Sequence, residues 1–226
     1  MSSIRNQSPS LRWEKDAWSG GKLLVAGVDE VGRGAWAGPI VAAAVALPAD
    51  PAFRARLTRA LRRAETPIRD SKQMSPQQRR RAVSAIQDIG MQFAVASIPA
   101  SDIDVVGLGL ANRQVLCDAV QALSPEPDHV LVDAFALPNL RCSHDAIVHG
   151  DSISFAIALA SIVAKAHRDS LMIELCERFP VYGFSAHKGY GTAQHRAALL
   201  THGPLEHHRR SFRPVAELAW HAAHDR

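Results

Sequence analysis

Residues 25–39 read VAGVDEVGRGAWAGP, and this stretch carries more information about structure and chemistry than any other part of the chain. Its apolar start has the composition of a buried strand, and it runs into two adjacent carboxylates, Asp29 and Glu30. Glycines flank Arg33 directly afterwards, and Pro39 introduces a second apolar run over residues 40–47. The pattern predicts strand, loop and strand, with acidic side chains at the end of the first strand.

Two interpretations fit the paired carboxylates. Side chains alternate between the faces of a strand, so Asp29 and Glu30 can serve one site only if the backbone turns at Glu30. Gly32 and Gly34 allow such a turn, because glycine accepts backbone angles that other residues avoid. The alternative is a surface Asp–Glu pair with no specific function.

The glycines of this stretch superficially match a dinucleotide-binding loop. That motif places a helix after the loop, so that the helix N-terminus meets a pyrophosphate. Here the strand-like run over residues 40–47 follows instead, which excludes the motif. An arginine on a bare backbone loop next to two carboxylates is better matched to metal-dependent phosphodiester chemistry.

The composition is that of a folded protein with a mild excess of positive charge. The chain has 226 residues, of which 47% are hydrophobic, and a formal net charge of +4. This charge permits nucleic-acid binding without requiring it. Between Arg54 and Arg81, ten Lys and Arg residues outnumber two acids, which indicates either phosphate contact or a solvated helix face.

The sequence predicts a cytoplasmic protein without a membrane segment. The three cysteines lie far apart with no CxxC pair, so we expect free thiols. Residues 1–21 contain no apolar signal core, and no apolar run approaches the roughly 20 residues of a membrane helix. These features favour a reducing cytosol.

Two further carboxylates stand at positions that suit a functional site. Asp133 ends the short apolar run 130–132, and Asp151 follows Gly150 directly before a helical segment. Open α/β sheets place ligands at strand ends, and a helix N-terminus keeps a carboxylate ionised. Each also has an ordinary alternative, Asp133 as a turn residue and Asp151 as a helix N-cap.

Several polar residues are candidates for contact with phosphate or a nucleotide. Ser161, Lys165 and Asp169 share one face of an apolar helix, where a lysine needs a carboxylate or phosphate unless its amine reaches solvent. The DSK sequence at residues 70–72 precedes a helix N-cap. Tyr190 lies between two glycines, where it either stacks on a nucleotide or packs on the core. The eleven histidines show no HxH or HExxH spacing, and none is assigned as a metal ligand.

The order of the predicted elements indicates an α/β fold. Strands are predicted at residues 23–28, 40–47, 91–98, 130–132 and 146–148, and helices at 54–63, 76–89, 109–123, 152–179, 193–200 and from Pro214. We expect a mixed β-sheet flanked by helices, with a helical C-terminal extension from about residue 180. Residues 1–21 are interpreted as a flexible or loosely docked lead-in that Trp13 and Trp18 attach to a body of residues 22–226.

Taken in order, these motifs resemble the ribonuclease HII family from about Leu24 to Arg213. The segments that carry the resemblance are GVDEVGRG (27–34), DSK (70–72), VDA (132–134), GD (150–151), ASIVAKAHRD (160–169), HKGYGT (187–192) and HRRSF (208–212). DEVGRG and ASIVAK would rarely occur together by chance, so the similarity is specific.

The resemblance implies an RNase H-like fold and an endoribonuclease that hydrolyses the RNA strand of RNA/DNA hybrids. It also implies nicking 5′ of ribonucleotides embedded in duplex DNA, with 3′-hydroxyl and 5′-phosphate products. The acidic positions of the family match Asp29, Glu30, Asp133 and Asp151, which would hold two Mn²⁺ or Mg²⁺ ions.

The resemblance also implies substrate contacts. Gly32, Arg33 and Gly34 match a loop that recognises the ribose 2′-hydroxyl, and Tyr190 matches a tyrosine that stacks on the next deoxyribose. The positions that lie near backbone phosphates in the family match Ser71, Lys72, Ser161 and Lys165.

Two alternative functions are weighed against this one. The first is a catalytically silent hybrid-binding module, which the presence of all four carboxylates disfavours. The second is a related DNA-directed nuclease, which the Gly-Arg-Gly loop and Tyr190 disfavour. Nothing in the sequence requires more than a monomer.

Overall fold

The computed structural model describes residues 8–224, with side chains as far as residue 218. Its strands are β1 (Leu24–Val31), β2 (Ile40–Pro48), β3 (Phe93–Ile98), β4 (His129–Asp133) and β5 (Ser143–Ile147). They form one five-stranded sheet in the order β3-β2-β1-β4-β5.

The sheet is mixed, as the sequence predicts. β1 and β4 are parallel, with Val28 beside Val132, and β4 and β5 are also parallel. The end of β2 lies beside the start of β1, where Ala49 N donates to Leu23 O at 2.8 Å, which is the arrangement of an antiparallel pair. The parallel strands bring their carboxyl ends to one edge of the sheet.

Helices account for most of the remaining chain. They are α1 (Arg12–Ser19), α2 (Pro51–Arg63), α3 (Pro76–Asp88), α4 (Ala100–Val106), α5 (Leu108–Gln121), α6 (Gly150–Ile153), α7 (Phe155–Arg178), α8 (Phe184–His187), α9 (Ala193–His202) and α10 (Arg213–His224). Single 3-10 turns occur at Ser71–Gln73 and Pro180–Tyr182. Among the residues described, no helix combines the length and apolar character that crossing a membrane requires.

The described chain falls into two compact units. The first contains residues 8–30, 42–96 and 115–166, and the second contains residues 31–41, 97–114 and 167–224. The predicted helical C-terminal region, from about residue 180, lies within the second unit, which also includes earlier segments of the chain.

The centre of the sheet is buried on both faces. Every residue of β2 from Ile40 to Leu47 is at most 2% exposed, which explains its nearly uninterrupted apolar sequence. In β1, a Cβ at Gly27 would lie 2.2 Å from the backbone carbonyl carbon of Ala156. Glycine at this position therefore lets the start of α7 approach the backbone of the strand.

The lead-in is an ordered part of the first unit where the structure describes it. Residues 12–19 form α1, and Trp13, Ala17 and Trp18 pack against a core cluster that includes Val25 and Ile157. The predicted attachment through Trp13 and Trp18 is confirmed. The expectation of a flexible or loosely docked segment is wrong for residues 10–19. Residues 1–7 lie outside the described chain.

The predicted single helix over residues 152–179 is wrong. The segment contains two helices, α6 and α7, separated at Ser154, whose backbone is extended with φ −98° and ψ 130°. Ile157 N donates to Ser154 Oγ at 3.3 Å, so Ser154 is the N-cap of α7. The apolar periodicity hid this boundary, and it also gave no sign of the short helix α4.

The close approach at Gly27 predicts a large effect of Gly27→Ala. The added methyl group would overlap the backbone at Ala156 and Ile157, so strand and helix must separate. We expect the free energy of unfolding to fall by about 1–3 kcal/mol, as in other overpacked cores, measured by urea denaturation. Gly109→Ala, in α5, is the matched control, because nothing lies within 4 Å of a Cβ built at Gly109. Equal stabilities of the two variants would contradict the close approach.

Candidate active site

Carboxylates converge at the carboxyl ends of the parallel strands of the first unit. Asp29 and Asp133 each follow the paired residues Val28 and Val132, so the register of β1 and β4 places them side by side. Asp151 lies in α6, just after β5. Asp29 is buried at 5% exposure and Asp151 at 9%. The structure thus gathers carboxylates that are more than a hundred residues apart in the chain.

Backbone and hydroxyl groups hold these carboxylates in place. Gly150 N donates to Asp133 Oδ1 at 2.7 Å, and Glu30 N donates to Asp29 Oδ1 at 2.8 Å. The Ser161 hydroxyl, on α7, also hydrogen-bonds to Asp29. Its oxygen lies 2.9 Å from Ser71 Oγ, and both serines are buried.

The negative charges raise one another's proton affinity. Burial raises the pKa of Asp29 well above its ordinary value, and the charges of Asp133, Glu30 and Asp151 add to the effect, while the Ser161 hydrogen bond opposes it. Burial and then Asp151 also raise the pKa of Asp133, against the hydrogen bond from Gly150 N. A positive charge in this cluster would relieve the repulsion.

Lys72 supplies one such charge from the surface. Its Nζ lies 3.6 Å from Asp151 Oδ2, and its side chain is 75% exposed. Burial lowers the pKa of Lys72, but Asp151, Asp70 and Asp29 outweigh that effect and raise it overall. Lys165, one helical turn after Ser161 on α7, is partly buried.

The donor set suits a hard divalent cation. In the part of the chain that is described, no group of three or more His, Cys, Asp and Glu side chains forms a ready-made metal cage. Mg²⁺ in phosphoryl-transfer sites is characteristically held by one or two carboxylates together with water and substrate phosphates. Mutually repelling carboxylates at one sheet edge fit that mode of binding, and their oxygens are the ligands that Mg²⁺ and Mn²⁺ prefer.

In the second unit, two buried arginines hold the Gly-Arg-Gly loop. Arg209 donates through Nη1 to Arg33 O at 2.8 Å and through Nη2 to Gly38 O at 3.0 Å. Arg168 donates to Pro39 O at 2.9 Å and packs on Gly32, where a Cβ would lie 2.1 Å from its Nε. Gly32 has φ +89°, and the side chain of Arg33 is exposed.

Arg168 and Arg209 are fully buried structural cations. Burial lowers the pKa of both, that of Arg209 to about 10 with the Arg168 charge as a second cause. Both belong to sequence motifs noted above, yet sequence reasoning gave neither a role. Arg168 stands among Lys165, His167 and Asp169 in the sequence of α7, so the local pattern gave no sign that this arginine is buried.

Tyr190 is presented on a loop with a fixed backbone. Trp36 N and Ala37 N donate to Gly189 O at 2.8 and 3.2 Å. Arg168 also donates to Lys188 O at 2.9 Å, and its Cζ lies 5.6 Å from the centre of the Tyr190 ring. Tyr190 is 37% exposed, whereas Tyr182 is 3% exposed, so the alternative of a core residue applies to Tyr182 instead.

Three buried histidines support the same loop. His187 Nε2 lies 2.8 Å from Tyr182 O, and Gly189 N donates to His187 Nδ1. His195 Nδ1 lies 3.0 Å from Tyr190 O, and its Nε2 lies 3.0 Å from Nε2 of His208. Leu205 N donates to His208 Nδ1 at 2.9 Å.

These contacts assign a neutral tautomer to each histidine. The backbone N–H groups require an acceptor nitrogen on His187 and His208, and the carbonyl of Tyr190 requires a donor on His195. His208 Nε2 therefore donates to His195. Burial lowers the pKa of His195 to about 4, and burial together with the His195 charge lowers that of His208 to about 3.

Comparison with known proteins agrees with this picture. A family model described as ribonuclease HII matches residues 26–215. A ribonuclease HII from Anaeromyxobacter sp. (strain Fw109-5) is 47% identical over 207 residues, which is 92% of this chain and 62% of that protein. A ribonuclease HII from Herpetosiphon aurantiacus is 42% identical over 207 residues, which is 90% of this chain and 95% of that protein.

Solved structures share the fold at lower identity. The ribonuclease H2 from Pyrococcus horikoshii OT3 has a TM-score of 0.73 at 23% identity, over 89% of this chain and 100% of that chain. Bst-RNase HIII in complex with Mn²⁺ has a TM-score of 0.65 at 21% identity, over 90% of this chain and 71% of that chain.

The fold and the sequence relationships define a hydrolytic endonuclease with an RNase H-like architecture. More specifically, the chain belongs to the ribonuclease HII family. The resemblance and the fold class predicted from the sequence are confirmed.

The structure distributes the predicted site residues over both units. The first unit brings together Asp29, Asp133, Asp151, Ser71, Lys72 and Ser161. It also contains Lys165. β1 continues to Val31, so the backbone does not turn at Glu30 as the shared-site interpretation requires, and Glu30 acts on Asp29 as its neighbour in the strand. The second unit contains Gly32, Arg33, Gly34 and Tyr190. Arg168 donates to the backbone of the Gly-Arg-Gly loop and of the Tyr190 loop, whereas Arg209 donates to the backbone of the Gly-Arg-Gly loop.

The histidine cluster predicts a loss of stability in acid. The unfolded chain binds protons below the ordinary histidine pKa of 6.5, whereas folded His195 and His208 do so only near pH 4 and 3. Each such histidine removes about 1.4 kcal/mol of stability per pH unit within that window. We expect the free energy of unfolding, from urea denaturation, to decrease as the pH falls from 7 to 5.

Two variants isolate this effect from the carboxylates. In His208→Gln the amide replaces the Nε2 donor but does not titrate, so the pH dependence should be shallower than in the unsubstituted protein. His167→Gln, at an exposed position of α7, should leave the slope unchanged. If His208→Gln retained the full slope, His208 would not be a neutral buried group.

Proposed function

We propose that this chain is a divalent-metal-dependent endoribonuclease that hydrolyses the RNA strand of RNA/DNA hybrids. On duplex DNA with an embedded ribonucleotide it nicks 5′ of that nucleotide, leaving a 3′-hydroxyl and a 5′-phosphate. The observation that carries the proposal is the convergence of Asp29, Asp133 and Asp151 at one sheet edge, in a chain of the ribonuclease HII family.

The residues that would hold the metal are Asp29, Glu30, Asp133 and Asp151. Mn²⁺ or Mg²⁺ held there would supply activation of water and stabilisation of charge on the leaving oxygen. The solved Mn²⁺ complex of Bst-RNase HIII, which shares the fold, supports a divalent ion of this kind. The raised pKa values of Asp29 and Asp133 mean that a cation binds in competition with protons.

The chain's own groups orient the carboxylates. Gly150 N holds Asp133 Oδ1 and leaves its other oxygen available. The buried Ser71–Ser161 pair holds Asp29, so its geometry supports an orienting role alongside the phosphate contacts that the family resemblance assigns. Lys72 pairs with Asp151 and remains mostly exposed, where its charge can meet a backbone phosphate.

Recognition of the ribonucleotide is assigned to the second unit. Arg209 fixes the carbonyl of Arg33, and this loop presents Arg33 and Gly34 at the surface, where its backbone can meet a 2′-hydroxyl, the group that distinguishes RNA from DNA. Tyr190, exposed on its fixed loop, supplies a ring that can stack on the neighbouring sugar. These roles rest on the family resemblance, and the loop geometry supports them.

The decisive assay uses a DNA duplex with a single embedded ribonucleotide and Mn²⁺ or Mg²⁺. We expect one nick 5′ of the ribonucleotide and none in an all-DNA duplex. A nick in the all-DNA duplex would instead identify a DNA-directed nuclease. Binding of the hybrid without any metal-dependent nick would identify a silent binding module.

Replacement of a single carboxylate tests the site itself. In Asp133→Asn the amide oxygen can still accept from Gly150 N, so the fold and hybrid binding should persist. The loss of a charged ligand should lower the nicking rate by roughly a hundredfold or more. Asp145→Asn is the matched control, because Asp145 is a 60% exposed carboxylate on β5 that pairs with His129. Rates like those of the unsubstituted protein in Asp133→Asn would remove this residue from the site.

The stacking role predicts a substrate-dependent effect of Tyr190→Ala. Stacking on an aromatic ring contributes about 1–3 kcal/mol per nucleotide, so the variant should nick single-ribonucleotide duplexes about tenfold more slowly or worse. Long hybrids, which offer many cleavage positions, should be affected less. Tyr190→Phe retains the ring and should retain activity on both substrates. An equal loss on both substrates in Tyr190→Ala would contradict the role.

A further inference from the structure

We propose that Glu14, in the N-terminal helix α1, is a positioning residue for the carboxylate site. It fixes the first turn of α7 and thereby aligns Asp151 on one side and Ser161 on the other. The proposal builds on the proposed function, because it assigns part of the active-site geometry to a segment that the family resemblance does not cover.

Glu14 is a completely buried acidic residue with hydrogen bonds to a distant part of the chain. Glu14 is 0% exposed, and its Oε1 accepts from Ser154 Oγ at 2.7 Å and from Ala156 N at 2.8 Å. Both donors belong to the start of α7, where a carboxylate interacts favourably with the helix dipole. Burial raises the pKa of Glu14, and the hydrogen bonds from Ala156 N and the Ser154 hydroxyl oppose that effect. These two bonds are the directional contacts that fix the side chain.

The backbone of the lead-in reinforces the same attachment. Ser10 N donates to Ile153 O at 3.1 Å, and Phe155 N donates to Ser10 O at 3.1 Å. Ser10 and Ser154 form a parallel β-bridge. Residues 10–14 therefore bind the junction between α6 and α7 through the main chain and through Glu14.

This junction is attached to the carboxylates at its other end. Ser154 N donates to Gly150 O at 2.8 Å, and Gly150 N donates to Asp133 at 2.7 Å. The short segment that carries Asp151 is thus fixed between Asp133 and the lead-in. A displacement of the first turn of α7 would change the direction of Asp151.

The first turn of α7 also influences the position of Asp29. Gly27 packs against the backbone of Ala156, and the backbone N–H of Ala156 donates a hydrogen bond to Glu14. Farther along α7, Ser161 hydrogen-bonds to Asp29. Glu14 therefore acts on both halves of the carboxylate cluster, on Asp151 through the α6–α7 junction and on Asp29 through α7, and touches none of the reacting groups.

The test separates positioning from simple support of the fold. Glu14→Met keeps an unbranched side chain of similar length but removes both acceptor contacts. Glu14→Gln keeps an acceptor oxygen, and its NH₂ replaces Oε2, which has no hydrogen-bond partner among the described residues. Trp13→Leu is the matched control, because it weakens packing of the same helix without touching the Glu14 contacts.

We measure kcat and KM on the single-ribonucleotide duplex at a temperature where each variant is folded. We also measure the Mn²⁺ concentration that gives half of the thermal stabilisation without substrate. Glu14→Met should lose about tenfold or more in kcat and in Mn²⁺ affinity, the usual size of effect for residues that orient ligands, with KM little changed. Glu14→Gln and Trp13→Leu should remain close to the unsubstituted protein.

A folded Glu14→Met protein with unchanged kcat and unchanged Mn²⁺ midpoint would overturn the proposal. So would an equal loss of kcat in Trp13→Leu, because helix packing alone would then explain the effect. If Glu14→Met does not fold, Ser154→Ala removes one donor to Glu14, and unchanged kcat and Mn²⁺ midpoint in that variant would likewise overturn the proposal. Absence of nicking by the unsubstituted protein would defeat the proposed function, while the Mn²⁺ titration would still test Glu14.

Discussion

Parallel pairing of β1 with β4 places two carboxylates next to each other, the buried Asp29 and the half-buried Asp133. Burial raises the pKa of each, and the charges of the neighbouring carboxylates add to that effect. Two hydrogen bonds of the first unit oppose the rise in pKa, one from the Ser161 hydroxyl to Asp29 and one from Gly150 N to Asp133. Under the proposed function, a divalent cation bound at these carboxylates would reduce their mutual repulsion.

In the second unit, hydrogen bonds from buried side chains fix the backbone of two loops. Arg168 and Arg209 are completely buried, and their guanidinium groups donate to backbone carbonyls of the loops that carry Arg33 and Tyr190. A carbonyl acceptor belongs to the backbone, so these bonds fix the loop path without fixing the exposed side chains. The neutral histidines add acceptors and donors to the same backbone, at the cost of stability in acid. Rigid loops with exposed side chains are suited to reading a ligand.

The sequence predicted the parts of the molecule that depend on local pattern. The strand before Asp29, the strand before Asp133 and the mixed sheet were all evident from apolar runs and their punctuation. The break at Ser154 was missed because the apolar residues on both sides continue a helical period. The N-cap bond of Ser154 comes from the backbone N–H of Ile157, so the identity of residue 157 does not reveal it. Arg168 and Arg209 were missed for another reason: their acceptors lie between 20 and 176 residues away in the chain, and no spacing rule relates them.

The lead-in shows most clearly where motif reasoning ends. The family match begins at residue 26, and the motifs that carry the resemblance begin at about the same point. Hydrogen bonds, however, do not stop at that boundary, since Glu14 reaches Ser154 and Ala156 across more than a hundred residues of sequence. In the sequence, Glu14 is a carboxylate of a lead-in to which no role is assigned. In the folded chain it is buried at the start of α7, where its hydrogen bonds constrain that helix. With the proposed role of Glu14, the functional part of the first unit begins N-terminal to the boundary that the motifs define.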